Sequence, residues 1–230
     1  STPLRFIFLG DYMDRGPHSG AVVDLLIELQ KEGAICLRGN HDDVIDWLLN
    51  QHSISDLLEV CKSLDDDHVV GWWLMNGFRE TLKSYRVPFG FGVTGIAQNF
   101  RISVPESHKR FIRDLPLYWG NDSHFACHAS FATDKEVPRD IKFFKNEIKN
   151  DTLWTRFRRD ITSVTTVWDK IGVFGHTPTW YHGSDSNYPK PVFRDKIRLI
   201  DLGCFSGGCL AGYCVQRDSF VLVPRNQKDE

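Results

Sequence analysis

The 230-residue chain lacks the features that would place it in several broad classes. It has no excess of basic charge: 28 basic against 30 acidic residues leave a formal net charge of −2. Nucleic-acid binding through a broadly basic surface is therefore not expected. No apolar run approaches the length of a membrane span and no charged-then-apolar leader opens the chain, so a soluble protein with no membrane association is expected. The six cysteines, at positions 36, 61, 127, 204, 209 and 214, form no CxxC pair. Most sit in apolar, strand-like stretches, which favours buried thiols in a reducing, cytoplasmic compartment over disulfides. There is no internal repeat and no low-complexity linker. The glycine-rich stretch "VPFGFGVTG" has neither the spacing nor the following lysine of a phosphate cradle and reads as a loop.

What is present points to an α/β fold. With 41% hydrophobic and 13% aromatic residues the chain can bury one large core, so residues 1–230 are expected to form a single domain. Phe6 to Leu9 are four β-favouring residues without polar alternation, the pattern of a strand covered on both faces. "HSGAVVDLLIELQKEG" then places Val22, Leu25, Leu26 and Leu29 at helical spacing, with Gly33 as a stop, and "AICL" supplies a second apolar strand. This is a βαβ unit. Asp42 to Leu82 reads as helical, with "VIDWLL" and "ISDLLEV" as amphipathic pieces and "SLDDDH" as a turn. A strand at "HFACH" follows, then a polar stretch from Asp134 to Asp160, and strands at "IGVFG", "IRLID", "GYCV" and "FVLVP".

Charge and imidazole collect where these strands end. Asp11 follows the first strand, Asn40 and His41 the second, His128 follows "HFAC" and His176 follows "GVFG". In parallel sheets ligands bind outside the carboxyl ends of the strands. Carboxylate, amide oxygen and imidazole suit intermediate divalent ions such as manganese, iron or zinc, without any cysteine thiolate. Taken singly, a histidine in "ACHAS" reads as a hydrogen-bonded core residue, and Asn40 as a turn residue.

The blocks "GDYMDRGP", "RGNHDD", "FACHAS", "LWTR" and "VFGHTP", in that order, resemble the signature of the metal-dependent phosphoprotein phosphatases, within the wider calcineurin-like metallophosphoesterases. "IDLGCFSGGCLAGYCV" resembles that family's closing strand pair. The resemblance implies an α/β sandwich of two mixed sheets flanked by helices, with the site at one edge. It implies two divalent metal ions, manganese first, with iron or zinc as alternatives. Asp11 would bridge them, and Asn40, His128 and His176 would complete the second.

The chemistry that these groups would perform is hydrolysis at phosphorus. Two ions ~3.5–4 Å apart can share one water, lower its pKa and aim the resulting hydroxide in line. A histidine is a suitable donor for the leaving alkoxide, which makes His41 the general acid and Asp14 its orienting partner. Arg15 and Arg156 can present guanidinium forks to phosphate oxygens, although Arg158 or Arg159 could take the place of Arg156. Arg38 reads as structural, and Tyr12 and Met13 as packing beneath the site.

One departure is large. The family's blocks normally open with GD-x-HG, whose aspartate and histidine hold the first metal, and no such motif occurs between Ser1 and Glu230. Either a segment before Ser1 supplies it, the favoured expectation, or the first metal site is lacking. Smaller departures are Asp42, where many members carry Glu, and Ser130, where a glycine is common. The expected activity is hydrolysis of phosphate monoesters, a serine/threonine phosphoprotein phosphatase of small bacterial or phage-like type acting on phosphoproteins or phosphorylated small molecules as a monomer. "GNHD", "GPHSG" and "DLGCFSGG" also resemble the hydrolases that cut diadenosine tetraphosphate symmetrically, the alternative reading. A binding module without catalysis is the third.

Overall fold

The structure is a computed structural model and describes residues 5–51, 73–88, 92–131 and 146–224. The pieces "ISDLLEV" and "SLDDDH", Cys61, and residues 134–145 of the polar stretch lie outside the described residues. The chain divides into two compact units, Ser1–Cys36 with Asn40–Leu115, and Leu37–Gly39 with Pro116–Glu230.

The first unit is built on the expected βαβ. Strand β1 (Ile7–Phe8) leads to helix α1 (Ser19–Lys31) and back to β2 (Ile35–Cys36), which pairs in parallel with β1 so that Phe8 lies opposite Cys36. Gly33, at φ 98°, turns the chain out of α1 where a side chain would be strained. Two details differ from the sequence pattern. Among the described residues β1 pairs only with β2, and Phe6 is 54% exposed rather than covered on both faces. Helix α1 buries Ser19, Val23 and Leu26, whereas Val22 and Leu25 face outward. Its rotation is set by polar docking of the first turn: Ser19 Oγ lies 3.1 Å from Thr81 Oγ1, and the Gly20 N–H donates to Ser84 Oγ at 2.9 Å. Apolar spacing alone does not carry that information.

Helix α2 (Asn40–Asp46) runs into a widened turn at Trp47–Gln51. A second widened turn, Leu74–Phe78, leads into α3 (Arg79–Ser84), followed by α4 (Gly92–Ser103) and α5 (Glu106–Arg113). The later part of "VPFGFGVTG", expected as a loop, is the first turn of α4, because Ala97 and Phe100 behind it are buried and hold the segment as a helix. Trp73 stacks on Phe78 with ring centroids 4.1 Å apart, and Phe78 meets Phe100 edge-on at 5.2 Å. His108 of α5 fastens the helices together. Its Nε2 lies 2.9 Å from Asp24 Oδ1 and its Nδ1 2.8 Å from the Tyr85 hydroxyl.

The second unit carries a mixed five-stranded sheet. Its strands are β3 (Tyr118–Gly120), β4 (His124–Cys127), β5 (Ile171–Phe174), β6 (Val192–Arg194) and β7 (Ile197–Leu199), in the order β3-β4-β5-β7-β6. The central three run parallel and the two edge strands antiparallel. Helix α6 (Asn146–Leu153) precedes β5, and a hairpin of β8 (Leu210–Cys214) and β9 (Ser219–Val223) closes the described chain. This is the α/β architecture that the alternation of apolar runs and helical patterns predicts. Among the described residues no helix is long and apolar enough to cross a membrane. The five described cysteines are free, as expected, but only Cys36 and Cys127 are buried. Cys204 is exposed and Cys209 and Cys214 are half-buried, because the short turn before β8 and the hairpin itself have one open side.

Aromatic packing holds this unit together. Phe125, fully buried on β4, touches Trp168 at a centroid distance of 4.6 Å, Phe174 at 5.5 Å and Phe131 at 5.7 Å. Truncation there removes both transfer energy and packing, so Phe125→Ala is expected to destabilise the protein by about 3–5 kcal/mol. Chemical denaturation followed by tryptophan fluorescence measures it; a loss below about 1 kcal/mol would mean that the aromatic cluster is not the unit's main support.

Candidate metal centre and acid pair

In each unit the chemically active side chains follow adjacent parallel strands, whose carboxyl ends the ladder brings side by side. In the first unit β1 leads to Asp11 and β2 leads to Asn40 and His41, at the start of α2. The backbone N–H of His41 donates to Asp11 Oδ1 at 3.0 Å. Asp42, with no exposed surface, turns its carboxylate back on the first loop, where Oδ2 accepts from the Asp11 N–H at 2.8 Å and Oδ1 from the Tyr12 N–H at 3.1 Å. These bonds tie the two strand ends together. Beneath them Met13 is buried in the core, and Tyr12 packs beside Phe111 and donates its hydroxyl to the Phe8 carbonyl, as expected for residues under the site.

This loop is conformationally costly. Asp11, Asp14 and Arg15 adopt φ of 58°, 72° and 65°, the left-handed region that side chains disfavour. Strain at three positions of one five-residue loop persists only where surrounding bonds impose it, and such strain collects at functional sites. Its product is a buried carboxylate–imidazole pair. His41 Nδ1 lies 2.6 Å from Asp14 Oδ2, and the Asp14 side chain is wholly screened from solvent. The Arg15 guanidinium, which can only donate, lies 3.2 Å from His41 Nε2, so this arrangement has the ring proton on Nδ1, donated to Asp14, and the lone pair on Nε2. Burial alone would lower the His41 pKa. The Asp14 hydrogen bond and the Asp11 and Asp14 charges outweigh burial and the opposing Arg15, and the pKa is raised.

In the second unit β4 and β5 are neighbours in register, with Cys127 opposite Phe174, so His128 and His176 emerge together. The Gly175 N–H donates to the His128 carbonyl at 2.8 Å, and His128 Nε2 lies 3.2 Å from His176 Nδ1. His176 also adopts a left-handed φ of 61°. Two nitrogens bound to one ion at ~2.0–2.1 Å lie about 2.9–3.4 Å apart for tetrahedral or octahedral angles, so the pair fits a shared divalent ion. Arg156, Arg158 and Arg159 are all exposed, and among the described residues of this unit no side-chain contact distinguishes one of them. Arg38 is buried, and its N–H donates to the Pro116 carbonyl at 2.8 Å, in keeping with a structural role.

The motif order, strand-end placement and donor chemistry converge with a direct comparison: the family profile described as calcineurin-like phosphoesterase matches residues 2–202. The chain belongs to the calcineurin-like phosphoesterases. This family hydrolyses phosphoesters with divalent metal ions, which sets the chain's class of activity. The chain is 25% identical over 234 residues, 96% of its own length and 78% of the relative's, to the asymmetrical bis(5'-nucleosyl)-tetraphosphatase PrpE of Halalkalibacterium halodurans. Among solved structures it resembles a candidate diadenosine tetraphosphatase, with TM-score 0.54 and 18% identity over 96% of this chain and 80% of that one. It also resembles a metallophosphoesterase from Sphaerobacter thermophilus, with TM-score 0.50 and 15% identity over 99% of this chain and 81% of that one. At these identities the structural likenesses speak for the fold.

Three residues outside the motif chemistry emerge from the geometry: Asp42, Gly77 and Thr81. Asp42 stands directly after His41, but nothing in "RGNHDD" says that its carboxylate turns back onto β1's loop. Gly77 and Thr81 lie more than sixty residues from Asp14 and Arg15, so only the folded contacts connect them. Outer partners of metal ligands commonly contribute a factor of about 10–100 in metal affinity. Asp42→Ala, which frees the Asp11 backbone, is accordingly expected to weaken metal binding by about that factor, while Asp42→Glu restores most of it. Metal titration of the two variants, each shown to be folded by circular dichroism, checks this; unchanged affinity in Asp42→Ala would contradict it.

Proposed function

We propose that the chain hydrolyses phosphate monoesters with poor leaving groups, phosphoserine and phosphothreonine peptides first, and that His41 protonates the leaving oxygen. The observation that carries this reading is the buried His41–Asp14 pair at 2.6 Å. An alkoxide leaves slowly unless a proton reaches it as the P–O bond breaks, and an imidazole held by a buried carboxylate is suited to that transfer. Asp14 stabilises the protonated ring and directs Nε2 outward. Arg15, resting against Nε2, is offered a stronger acceptor by a phosphoryl group, and moving to it would leave Nε2 available to carry the proton.

Asp11, Asn40, His128 and His176 are the proposed metal ligands, with manganese the first candidate because their oxygen and imidazole donors include no thiolate. When bound, divalent ions supply Lewis-acid polarisation and a water of lowered pKa. Arg15, with Arg156 or one of its neighbouring arginines, balances charge on the phosphate oxygens. The protein is expected to hydrolyse p-nitrophenyl phosphate with added manganese and to lose that activity to a chelator. Turnover by metal-free, chelator-treated enzyme would refute the metal-dependent reading. His128→Asn should lower metal content in elemental analysis, whereas His41→Asn should leave it nearly intact and reduce kcat; equal metal loss in both would overturn the division of roles.

A second reading, hydrolysis of dinucleoside polyphosphates, is favoured by the 25% identity to PrpE. That relative's name specifies an asymmetrical cut, in contrast to the symmetrical one that the motifs alone suggested. Anhydride leaving groups need less acid assistance, so Asp14 separates the readings. The monoesterase reading predicts a higher kcat/KM for phosphothreonine peptide than for diadenosine tetraphosphate, and a loss of roughly 10²-fold or more on the peptide in Asp14→Asn. Should diadenosine tetraphosphate be the better substrate, its products assign the cut: two ADP for symmetrical cleavage, ATP and AMP for asymmetrical cleavage.

A further inference from the structure

We infer that the Gly77–Thr81 segment is a positioning element for the acid pair and the phosphate-binding arginine, with Thr81 setting Asp14 and Gly77 setting Arg15. The inference rests on the assignment of His41 and Asp14 as the general-acid pair. Thr81 has no exposed surface, and its hydroxyl is used to capacity. It donates to Asp14 Oδ1 at 2.6 Å, accepts from the Asp14 N–H at 2.8 Å, and lies 3.1 Å from Ser19 Oγ. One hydroxyl has one proton and two lone pairs, so Ser19 must be the donor in the third bond. One oxygen therefore grips Asp14 at both ends.

That grip has two effects. The bond to the Asp14 N–H supports a residue at φ 72°, a conformation it would not hold alone. The bond to Oδ1 fixes the rotation of the carboxylate and leaves Oδ2 to receive the His41 ring N–H. Apolar replacement of Thr81 would leave a buried carboxylate oxygen and a buried N–H short of a partner, and the imidazole would lose its fixed reference. Gly77 acts one residue further along the same loop. Its carbonyl accepts the Arg15 N–H at 3.0 Å, and its own φ is 102°. A Cβ there would stand 2.4 Å from the Arg15 nitrogen and 2.8 Å from its Cα. Only glycine lets the turn approach so closely.

The two contacts are expected to fail in different ways. Phenyl phosphate, with a poor leaving group, depends on acid assistance more than p-nitrophenyl phosphate does. Thr81→Val should lower kcat on phenyl phosphate by roughly 10-fold or more and on p-nitrophenyl phosphate by less than about 3-fold, with metal content unchanged and Thr81→Ser restoring most of the loss. Gly77→Ala, which displaces Arg15, should instead raise KM for both substrates, with any fall in kcat equal for the two. Thr81→Cys, which keeps the volume and weakens the donor, should give a smaller loss in the same direction and serves if Thr81→Val does not accumulate folded. His41→Asn is measured in parallel. If it discriminates between the two substrates and the Thr81 variants lower both equally, Thr81 is only structural and the inference is overturned. If His41→Asn itself lowers both equally, the acid assignment fails and the inference falls with it.

Discussion

The hydrogen bond between His41 Nδ1 and Asp14 Oδ2 is the constraint around which the first unit is arranged. At 2.6 Å, with the carboxylate side chain fully screened from water, it requires that Asp14 be aimed before any substrate arrives. A short loop of three left-handed residues cannot aim it alone. The aim is supplied from outside, by Asp42 at the loop's first residues and by Gly77 and Thr81 at its last. The hydrophobic core beneath, from Met13 to Phe78 and Leu82, fixes where those supports stand. Pre-organisation of this kind, paid in folding stability, would let His41, as the proposed proton donor, work without reorganising at the moment of reaction.

The second unit solves a similar problem by different means. His128 and His176 are brought together by the sheet itself, because β4 and β5 are neighbouring parallel strands in register and their ends emerge side by side. Rigidity comes from the aromatic cluster around Phe125, Trp168 and Phe174. The first unit carries Asp11, Asn40 and the His41–Asp14 pair, and the second carries paired imidazoles. The donor types are those that hard to intermediate divalent ions accept.

The strands and motif residues were legible because their signals are local. Runs such as "HFAC" and "GVFG" mark buried parallel strands, and short polar residues directly after them mark strand-end chemistry. Two kinds of information were not legible. The face that α1 buries depends on Ser19 meeting Thr81, a contact spanning 62 residues, so Val23 rather than Val22 turned inward. The half-open hairpin likewise left Cys209 and Cys214 partly exposed, although their apolar neighbours suggested burial. The same limit hid the supports of the acid pair. A threonine in "FRETLKS" carries no mark of the carboxylate it holds 67 residues earlier.

The proposed acid role requires that His41 be held by Asp14 through Nδ1, with Nε2 left to exchange a proton. Nitrogen-15 NMR of the labelled histidine rings, recorded at a pH where His41 is neutral, reads this directly. A proton on Nδ1 with the far-downfield shift of a short bond to carboxylate, lost in Asp14→Asn, is expected. A proton on Nε2, or an Nδ1 signal indifferent to Asp14→Asn, would contradict it.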